Sequence, residues 1–301
     1  MKTPNFLIVG TAKSGTTSLY KYLCQHPMVY MPEQKEPFFF AFDSSQPDFQ
    51  GPGDHIAVND CAVTNPNNYF SLFDTSIEKS AIGEASTCYL YMPKAAERIQ
   101  HYIPETKIIM MLRNPVDRAY SSFMHTRMRE RESLEKFEDA LLAEERRIQN
   151  NYSWIWHYKT MGFYYDQVKR YFQRFKEEQI KICLYEEFRD NPMVCVRDIF
   201  AFLGVDDSFK PNLSLSHNKT GLVKNQTVER MTSNQSLVKS LMKVILPLKT
   251  RQLIRHRISN WNLQKPEMSV GTKTMLVEEY RSDIVKLQTL IQKDLSRWLE
   301  V

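Results

Sequence analysis

The residues with the clearest chemical capacity lie near the N-terminus, in the stretch from Gly10 to Ser18. Gly10 and Gly15 bracket a turn that contains Lys13, and hydroxyl side chains occupy positions 14 and 16–18. A turn that leads into a helix in this way binds anions, because the first N–H groups of the helix lack partners and the helix dipole is positive there. We therefore predict that a phosphate-like group is held by Lys13, Ser14, Gly15, Thr16, Thr17 and Ser18.

The turn differs from the loop of nucleoside triphosphate hydrolases in the place of its lysine. Gly10 and Gly15 have the glycine spacing of G-x-x-x-x-G-K-[ST], but Thr16 stands where that lysine belongs, and Lys13 precedes the second glycine. A hydrolase needs the lysine on the β- and γ-phosphates and the following hydroxyl on magnesium. The turn therefore favours a phosphate-like ligand other than a magnesium-bound triphosphate. An ordinary Gly/Ser turn of an α/β protein is the alternative interpretation.

A second candidate anion site runs from Arg113 to Ser121. An apolar run at residues 107–112 predicts a buried strand that ends at Arg113, and Pro115 suits the first position of a helix. The guanidinium fork and the helix hydroxyl could hold one phosphate from two sides. A capped helix with a surface arginine is the alternative. Two anion sites on one sheet edge would indicate a bisphosphorylated nucleotide.

Apolar runs and helical patterns alternate along the chain, which predicts an α/β fold. We expect three layers, a mainly parallel sheet flanked by helices, with the ligand beyond the carboxyl ends of the strands. The predicted strands span residues 6–9, 28–31, 81–86, 107–112 and 180–185. The predicted helices span residues 16–25, 94–102, 134–148, 164–175, 192–203 and a basic segment at 228–257.

Two further segments have a distinct character. Residues 43–68 are rich in Pro, Gly, Asn and Asp, which predicts a long surface loop that acts as a lid or specificity element. An apolar stripe at helical spacing near the C-terminus predicts core packing. Its members are Leu276, Tyr280, Ile284, Leu287, Ile291, Leu295 and Leu299.

Composition limits the function classes. The chain has 301 residues, 42% of them hydrophobic and 25% charged, with a net charge of +5. That charge suits an anionic ligand without requiring nucleic acid, and the run from Arg127 to Glu132 is mixed in sign. No apolar run approaches the roughly 20 residues of a membrane span, and the first strand leaves no room for a signal peptide. We expect a soluble, cytoplasmic protein without nucleic-acid or membrane partners. The five cysteines, without a C-x-x-C pair, predict reduced thiols and no metal site.

The two anion-site motifs resemble those of one enzyme family. The segment from Thr11 to Ser18 resembles the loop that binds the 5′-phosphosulfate of 3′-phosphoadenylyl sulfate (PAPS) in sulfotransferases. Arg113 and Ser121 match, at the family's spacing, the pair that holds the 3′-phosphate. Lys35–Phe40 resembles the Lys-Glu-x-x-Phe-Phe segment of glycan and bacterial sulfotransferases, whose glutamate is the catalytic base. Three more segments are similar to the bacterial branch: Gly83–Ser86, Gly162–Gln167 and Leu295–Leu299.

The resemblance implies a single sulfotransferase domain over residues 1–301, with the P-loop-like fold of the family. A nucleotide-binding core would span about residues 1–205 and a helical part residues 206–301. PAPS would be the co-substrate, its product 3′,5′-bisphosphoadenosine (PAP) would be released, and no metal would be needed. The resemblance assigns catalysis to Glu36 and Lys13, and assigns part of the nucleotide site to Lys219, Thr220 and Gly221.

The acceptor is less well defined by the sequence. Glu84 and Ser86 resemble acceptor-side residues of relatives, and His125 follows Ser121 on the same helix face, where a helix histidine without such a role is the alternative. Phe38 replaces the histidine of relatives that sulfate heparan 3-hydroxyls. A last aromatic group could line an acceptor pocket or could be part of ordinary packing, and both interpretations stay open. Its members are Trp154, Trp156 and Tyr158.

We expect sulfuryl transfer to a hydroxyl or amine of a small metabolite, with a saccharide as the alternative acceptor. The scarcity of lysine and arginine in residues 43–68 favours an acceptor of low charge. From other classes, a P-loop kinase, a nucleotide hydrolase and a non-catalytic nucleotide-binding protein stay open. The oligomeric state is not indicated.

Overall fold

A computed structural model describes residues 2–75, 78–214, 222–223, 263–264 and 266–301 of the chain. Its main sheet has five strands: β1 (Phe6–Gly10), β2 (Val29–Tyr30), β3 (Ala81–Ala85), β4 (Lys107–Leu112) and β5 (Ile180–Leu184). Their spatial order is β2-β3-β1-β4-β5, and every neighbouring pair is parallel. The predicted α/β fold with a mainly parallel sheet is therefore confirmed.

The central strands are apolar because both faces of the sheet are covered. Leu7 and Val9 of β1 belong to one buried cluster, whereas Phe6 and Ile8 belong to a second cluster on the opposite face. Helices α1 (Thr16–Leu23) and α10 (Pro192–Leu203) cover this second face. The three-layer arrangement follows from this alternation of side chains along each strand.

The other helices are short except for two. They are α2 (Phe39–Phe42), α3 (Pro66–Ser71), α4 (Ala95–Tyr102), α5 (Pro115–Met128), α6 (Phe137–Leu142), α7 (Glu144–Gln149), α8 (Tyr165–Phe172), α9 (Tyr185–Asp190) and α11 (Val270–Ile291). A π-helix spans His55–Asn59, and 3₁₀ turns span Trp154–Trp156, Thr160–Gly162, Glu177–Gln179 and Ser296–Leu299. Strands β6 (Leu222–Val223) and β7 (Leu263–Gln264) pair antiparallel.

The prediction of a single helix over residues 134–148 is wrong, because the chain forms α6 and α7 there with a break at Ala143. The next residue, Glu144, turns its carboxylate inward. It accepts hydrogen bonds from the backbone N–H groups of Lys159 and Thr160, at 2.6 and 2.7 Å. The segment from 134 to 136 is not helical. The helical segment predicted at 228–257 lies outside the described residues.

The C-terminal stripe packs into the core as predicted. Leu276, Tyr280, Ile284 and Leu287 of α11 are buried, and the Tyr280 hydroxyl donates to the carbonyl oxygen of Lys159 at 2.8 Å. The carboxylate of Asp283 accepts from the backbone N–H of Tyr164 at 2.8 Å. Helix α11 thus fixes the segment that leads into α8. None of the described helices is both long and apolar enough to cross a membrane.

Candidate functional site

The Gly10–Ser18 turn lies at the carboxyl end of β1, the central strand. Lys13 and Gly15 have left-handed backbone conformations, with φ of 72° and 83°. A Cβ on Gly15 would come within 3.2 Å of the Phe188 ring, so both its φ and its surroundings favour glycine. Helix α1 starts directly after Gly15 without a side-chain cap. The N–H groups of the first two helix residues therefore remain available to a ligand.

Arg113 brings the second predicted anion site against the first. Its Nη1 donates to the carbonyl oxygen of Lys13 at 2.9 Å, and its guanidinium lies over the Tyr185 ring, 4.5 Å from the ring centre. The Nε of Arg113 is buried and has no hydrogen-bond partner among the described residues. This contact exists because β1 and β4 are parallel neighbours whose carboxyl ends meet at one edge.

Both sites open into one cavity of about 980 Å³. The structure brings most of the sequence-predicted residues to its wall, and it places Ser14, Glu84 and Ser86 beneath the wall. Lys219, Thr220 and Gly221 lie outside the described residues. The predicted residues on the wall are Lys13, Gly15, Thr16, Thr17, Ser18, Glu36, Arg113, Ser121 and His125.

Glu36 is held in a constrained position on this wall. Its φ is 62°, an uncommon value for a residue with a side chain. Its backbone N–H donates to the carbonyl oxygen of Ala85 at 3.2 Å. Its Oε1 accepts from Lys35 Nζ at 2.8 Å and from Thr87 Oγ1 at 3.3 Å. The geometry points the carboxylate into the cavity.

Lys35 connects Glu36 to the anion-binding turn, because its ammonium also donates to Thr17 Oγ1 at 3.3 Å. Sequence reasoning did not single out Lys35 or Thr87 as site residues. Lys35 could have been identified by its position next to Glu36, and Thr87 by its position just after the end of β3.

The electrostatics of the cavity are strongly positive. Burial, together with the nearby cations Arg113 and Arg129, lowers the pKa of Lys13 to about 8. Burial, together with nearby cations that include Lys13 and Arg129, lowers the pKa of His125 to about 3. His125 is therefore neutral at pH 7, and an anion in the cavity would stabilise the cationic form of Lys13.

Glu84 and Ser86 support the Glu36 segment from below. Ser86 Oγ accepts from the backbone N–H of Phe38 at 3.2 Å, and the Tyr69 hydroxyl donates to Glu84 Oε1 at 3.3 Å. Burial raises the pKa of Glu84 to about 7. The structure therefore places these two residues beneath the Glu36 segment and does not bring them to the cavity wall.

Other residues reach the cavity that the sequence did not assign. Arg129 and Arg131 follow the end of α5, and Tyr185 lies beside Arg113. The aromatic group of residues 154–158 divides: Trp154 lines the cavity, whereas Trp156 and Tyr158 are in the buried core. Other apolar parts of the wall are Phe38, Ala57 and Ile155.

Comparisons with known proteins show the family of this chain. A family model for the sulfotransferase domain matches residues 3–287. The solved structure of a sulfotransferase from Alicyclobacillus acidocaldarius is 36% identical, covers 100% of both chains and has a TM-score of 0.78. The sulfotransferase domain from the curacin biosynthetic pathway shares the fold, with 14% identity, a TM-score of 0.52 and coverage of 93% of this chain and 99% of that one.

Curated relatives are more distant. The human bifunctional heparan sulfate N-deacetylase/N-sulfotransferase 3 is 26% identical over 215 residues, which is 68% of this chain and 22% of that protein. This chain spans about a fifth of the length of the first curated relatives it matches. The family match covers nearly the whole sequence. This chain therefore belongs to the sulfotransferase domain family and is related to the heparan sulfate sulfotransferases.

Proposed function

We propose that this protein transfers a sulfuryl group from PAPS to a hydroxyl or amine of a small-molecule acceptor. The observation that carries the proposal is the meeting of Lys13 and Arg113, joined by a 2.9 Å hydrogen bond, in a cavity whose wall also contains Glu36. Two anion sites beside one carboxylate suit a donor with phosphates at both ends and an acceptor that must lose a proton. A location in the cytoplasm and a role in secondary metabolism belong to the same proposal.

The residues present fit the donor. The N-terminus of α1 is uncapped, and the buried Nε of Arg113 lacks a partner among the described residues, as does Ser14 Oγ. The turn at residues 13–18 would hold the 5′-phosphosulfate, and Arg113 with Ser121 would hold the 3′-phosphate. Lys219, Thr220 and Gly221 would add to this site on the strength of the motif resemblance alone.

Glu36 would act as the base. PAPS supplies the sulfuryl group, and the acceptor oxygen or nitrogen forms the new bond to sulfur as Glu36 takes its proton. The bond between sulfur and the 5′-phosphate oxygen breaks, and its electron pair stays on that oxygen. A positioned base of this kind contributes about 100- to 10,000-fold to the rate. Lys35 keeps the carboxylate in place through its 2.8 Å contact.

Lys13 would stabilise the leaving group. As a cation in a partly closed cavity, it can meet the negative charge that grows on the 5′-phosphate oxygen. Its carbonyl oxygen accepts from Arg113, so the residue that contacts one phosphate is tied to the residue that contacts the other. The two sites therefore bind the donor as one unit.

A saccharide acceptor is the second candidate. It is favoured by the relation to proteins named heparan sulfate N-sulfotransferases. Incubating the protein with PAPS and separate pools of metabolites and oligosaccharides, and following the sulfuryl mass gain, decides between the two acceptor classes.

Ligand-dependent thermal unfolding tests the proposal against the other enzyme classes. We expect PAP to raise the melting temperature without magnesium, because the site holds the two phosphates by lysine, arginine and backbone N–H groups. A response to ATP with magnesium, and none to PAP, would favour a kinase or hydrolase and contradict the proposal.

A further inference from the structure

Six cationic side chains lie on the described part of the cavity wall, and two of them have a carboxylate partner. Glu36 is its one carboxylate among the described residues of the wall, and Glu36 is already paired with Lys35. Arg189 is paired with Asp190 at 2.7 Å. The cations of the wall are Lys13, Lys35, Arg113, Arg129, Arg131 and Arg189. Within the described part of the chain, Arg129 and Arg131 have no ion-pair partner, so their charges are available to a ligand.

The backbone after α5 turns both arginines toward the same space. Glu130 has a left-handed φ of 56°, and the N–H of Arg131 donates back to the carbonyl oxygen of Thr126 at 3.0 Å. The nearby carboxylate of Glu132 is unavailable, because Arg147 binds both its oxygens at 2.7 and 2.8 Å. The turn therefore presents both arginines to the cavity, whereas Glu130 between them is not part of the cavity wall.

The 43–68 segment contributes Ala57 to the cavity wall and lies against the side chain of Arg131. A Cβ on Gly53 would come within 2.9 Å of Arg131 Nε, so the backbone there lies against the guanidinium. The buried carboxylate of Asp54 accepts from the Gly51 N–H at 3.0 Å, from Ser153 N–H at 2.8 Å and from Trp156 Nε1 at 3.1 Å. Asp54 thus joins the segment to the 3₁₀ turn that carries Trp154.

We group the residues of the cavity wall by the ligand that each group is expected to bind. The donor end comprises the turn at residues 13–18 together with Arg113, Ser121 and Tyr185. The acceptor end comprises Phe38, Ala57, Trp154, Ile155, Arg129 and Arg131. His125 lies near both groups, because the charges of Lys13, Arg129 and Arg131 all lower the pKa of its ring. The acceptor end therefore combines an apolar wall with two unpaired guanidinium groups.

We propose that Arg129 and Arg131 bind an anionic group of the acceptor, a carboxylate or a sulfate, and so select acidic acceptors with an apolar body. This inference rests on the proposed function, since it assigns the space next to the transferred group. The 43–68 segment is itself poor in lysine and arginine, but it packs beside the arginines that follow α5. The low-charge acceptor favoured by that segment's composition is replaced in this proposal by an acidic one.

The test uses PAPS labelled at sulfur and a metabolite extract divided beforehand on an anion exchanger. We expect the label to enter compounds of the retained, acidic fraction. With the acceptor identified, the R129Q/R131Q variant should raise its KM at least tenfold, because charge-assisted hydrogen bonds are lost. The KM for PAPS should stay within about twofold. The R129K/R131K variant, which keeps the charges, should recover part of the loss.

The matched control is R281Q/R297Q, which removes the same charge outside the cavity wall and should leave both KM values unchanged. Thermal protection by PAP shows that each variant is folded. Label that enters only the unretained fraction would overturn the inference and leave the proposed function standing. An R129Q/R131Q variant whose KM for PAPS rises with that for the acceptor would overturn it too. A wild-type protein without protection by PAP would overturn the proposed function itself.

Discussion

The donor end and the acceptor end of the cavity are built in different ways. The donor end comes from residues that directly follow two neighbouring strands, β1 and β4, and its key contact joins Arg113 to a backbone oxygen of Lys13. The acceptor end is assembled from the turn after α5, the 43–68 segment and the 3₁₀ turn at Trp154–Trp156. The first arrangement is dictated by the fold, whereas the second depends on how separate segments pack.

This difference suggests that one fold keeps its donor while its acceptor changes. Substitutions at the donor end should affect PAP binding or the chemical step. Substitutions at the acceptor end should affect the choice of acceptor. The following predictions test that separation, from the largest expected effect to the smallest.

Removing the base should give the largest effect. Glu36→Gln keeps the shape of the side chain but cannot accept the proton, so kcat should fall by about 100- to 10,000-fold. PAP should bind as before, because Glu36 is paired with Lys35 and Thr87 and the donor site lies elsewhere on the wall. Steady-state kinetics and PAP titration provide the two readouts. Glu33→Gln, at an exposed position in the same segment, is the control. Unchanged kcat in Glu36→Gln would show that Glu36 is not the catalytic base.

Arg113→Ala should break the donor end. It removes the guanidinium fork and the hydrogen bond to Lys13, so the Kd of PAP should rise on the order of 100-fold. Arg113→Lys keeps the charge without the fork, so its Kd for PAP should lie between those of wild type and Arg113→Ala. Calorimetric titration measures the change, and the exposed Arg174→Ala provides the control. Equal PAP affinity in Arg113→Ala and wild type would argue against a 3′-phosphate site there.

The protonation state of Lys13 should set an upper pH limit for activity. Its pKa is lowered to about 8, so the side chain is cationic below that pH and loses its proton above it. If the cation stabilises the leaving group, kcat/KM should fall about tenfold per pH unit above pH 8. A pH profile from 6 to 10 measures this limb. A flat profile up to pH 9.5 would exclude Lys13 from that role.

Glu84 should affect stability more than binding. Its pKa is raised from 4.5 to about 7, so the folded protein holds a proton that the unfolded chain releases. This stabilisation is present below pH 4.5 and is lost as the pH rises through 7, with a size on the order of 3 kcal/mol. Glu84→Gln cannot ionise, so its melting temperature should change less between pH 5 and 8 than that of wild type. An identical pH dependence in the two proteins would refute this account, and exposed Glu97→Gln is the control.

The sequence predicted that the residues of the proposed donor end meet at one edge of the sheet, because the signals for these residues are local. The apolar runs at Phe6 and Lys107 define buried strands, and the anion-binding residues follow directly at their carboxyl ends. Parallel pairing then forces the two sites together, whatever the rest of the chain does.

The acceptor end could not be predicted in the same way. Arg129 and Arg131 stand in a segment of mixed charge, and only the turn at Glu130 and the pairing of Glu132 with Arg147 show which charges face the cavity. Glu84 and Ser86 have residue types that are common in active sites, but both are buried, in and just after β3, and lie beneath the cavity wall. These outcomes depend on packing between residues distant in the sequence.

A crystal structure of the protein soaked with PAP tests the central claim most directly. The account predicts that the 3′-phosphate contacts the Arg113 guanidinium and the Ser121 hydroxyl, and that the 5′-phosphate lies against the turn at residues 13–18. Phosphates found at Arg129 and Arg131, with that turn and Arg113 free of contacts, would contradict it.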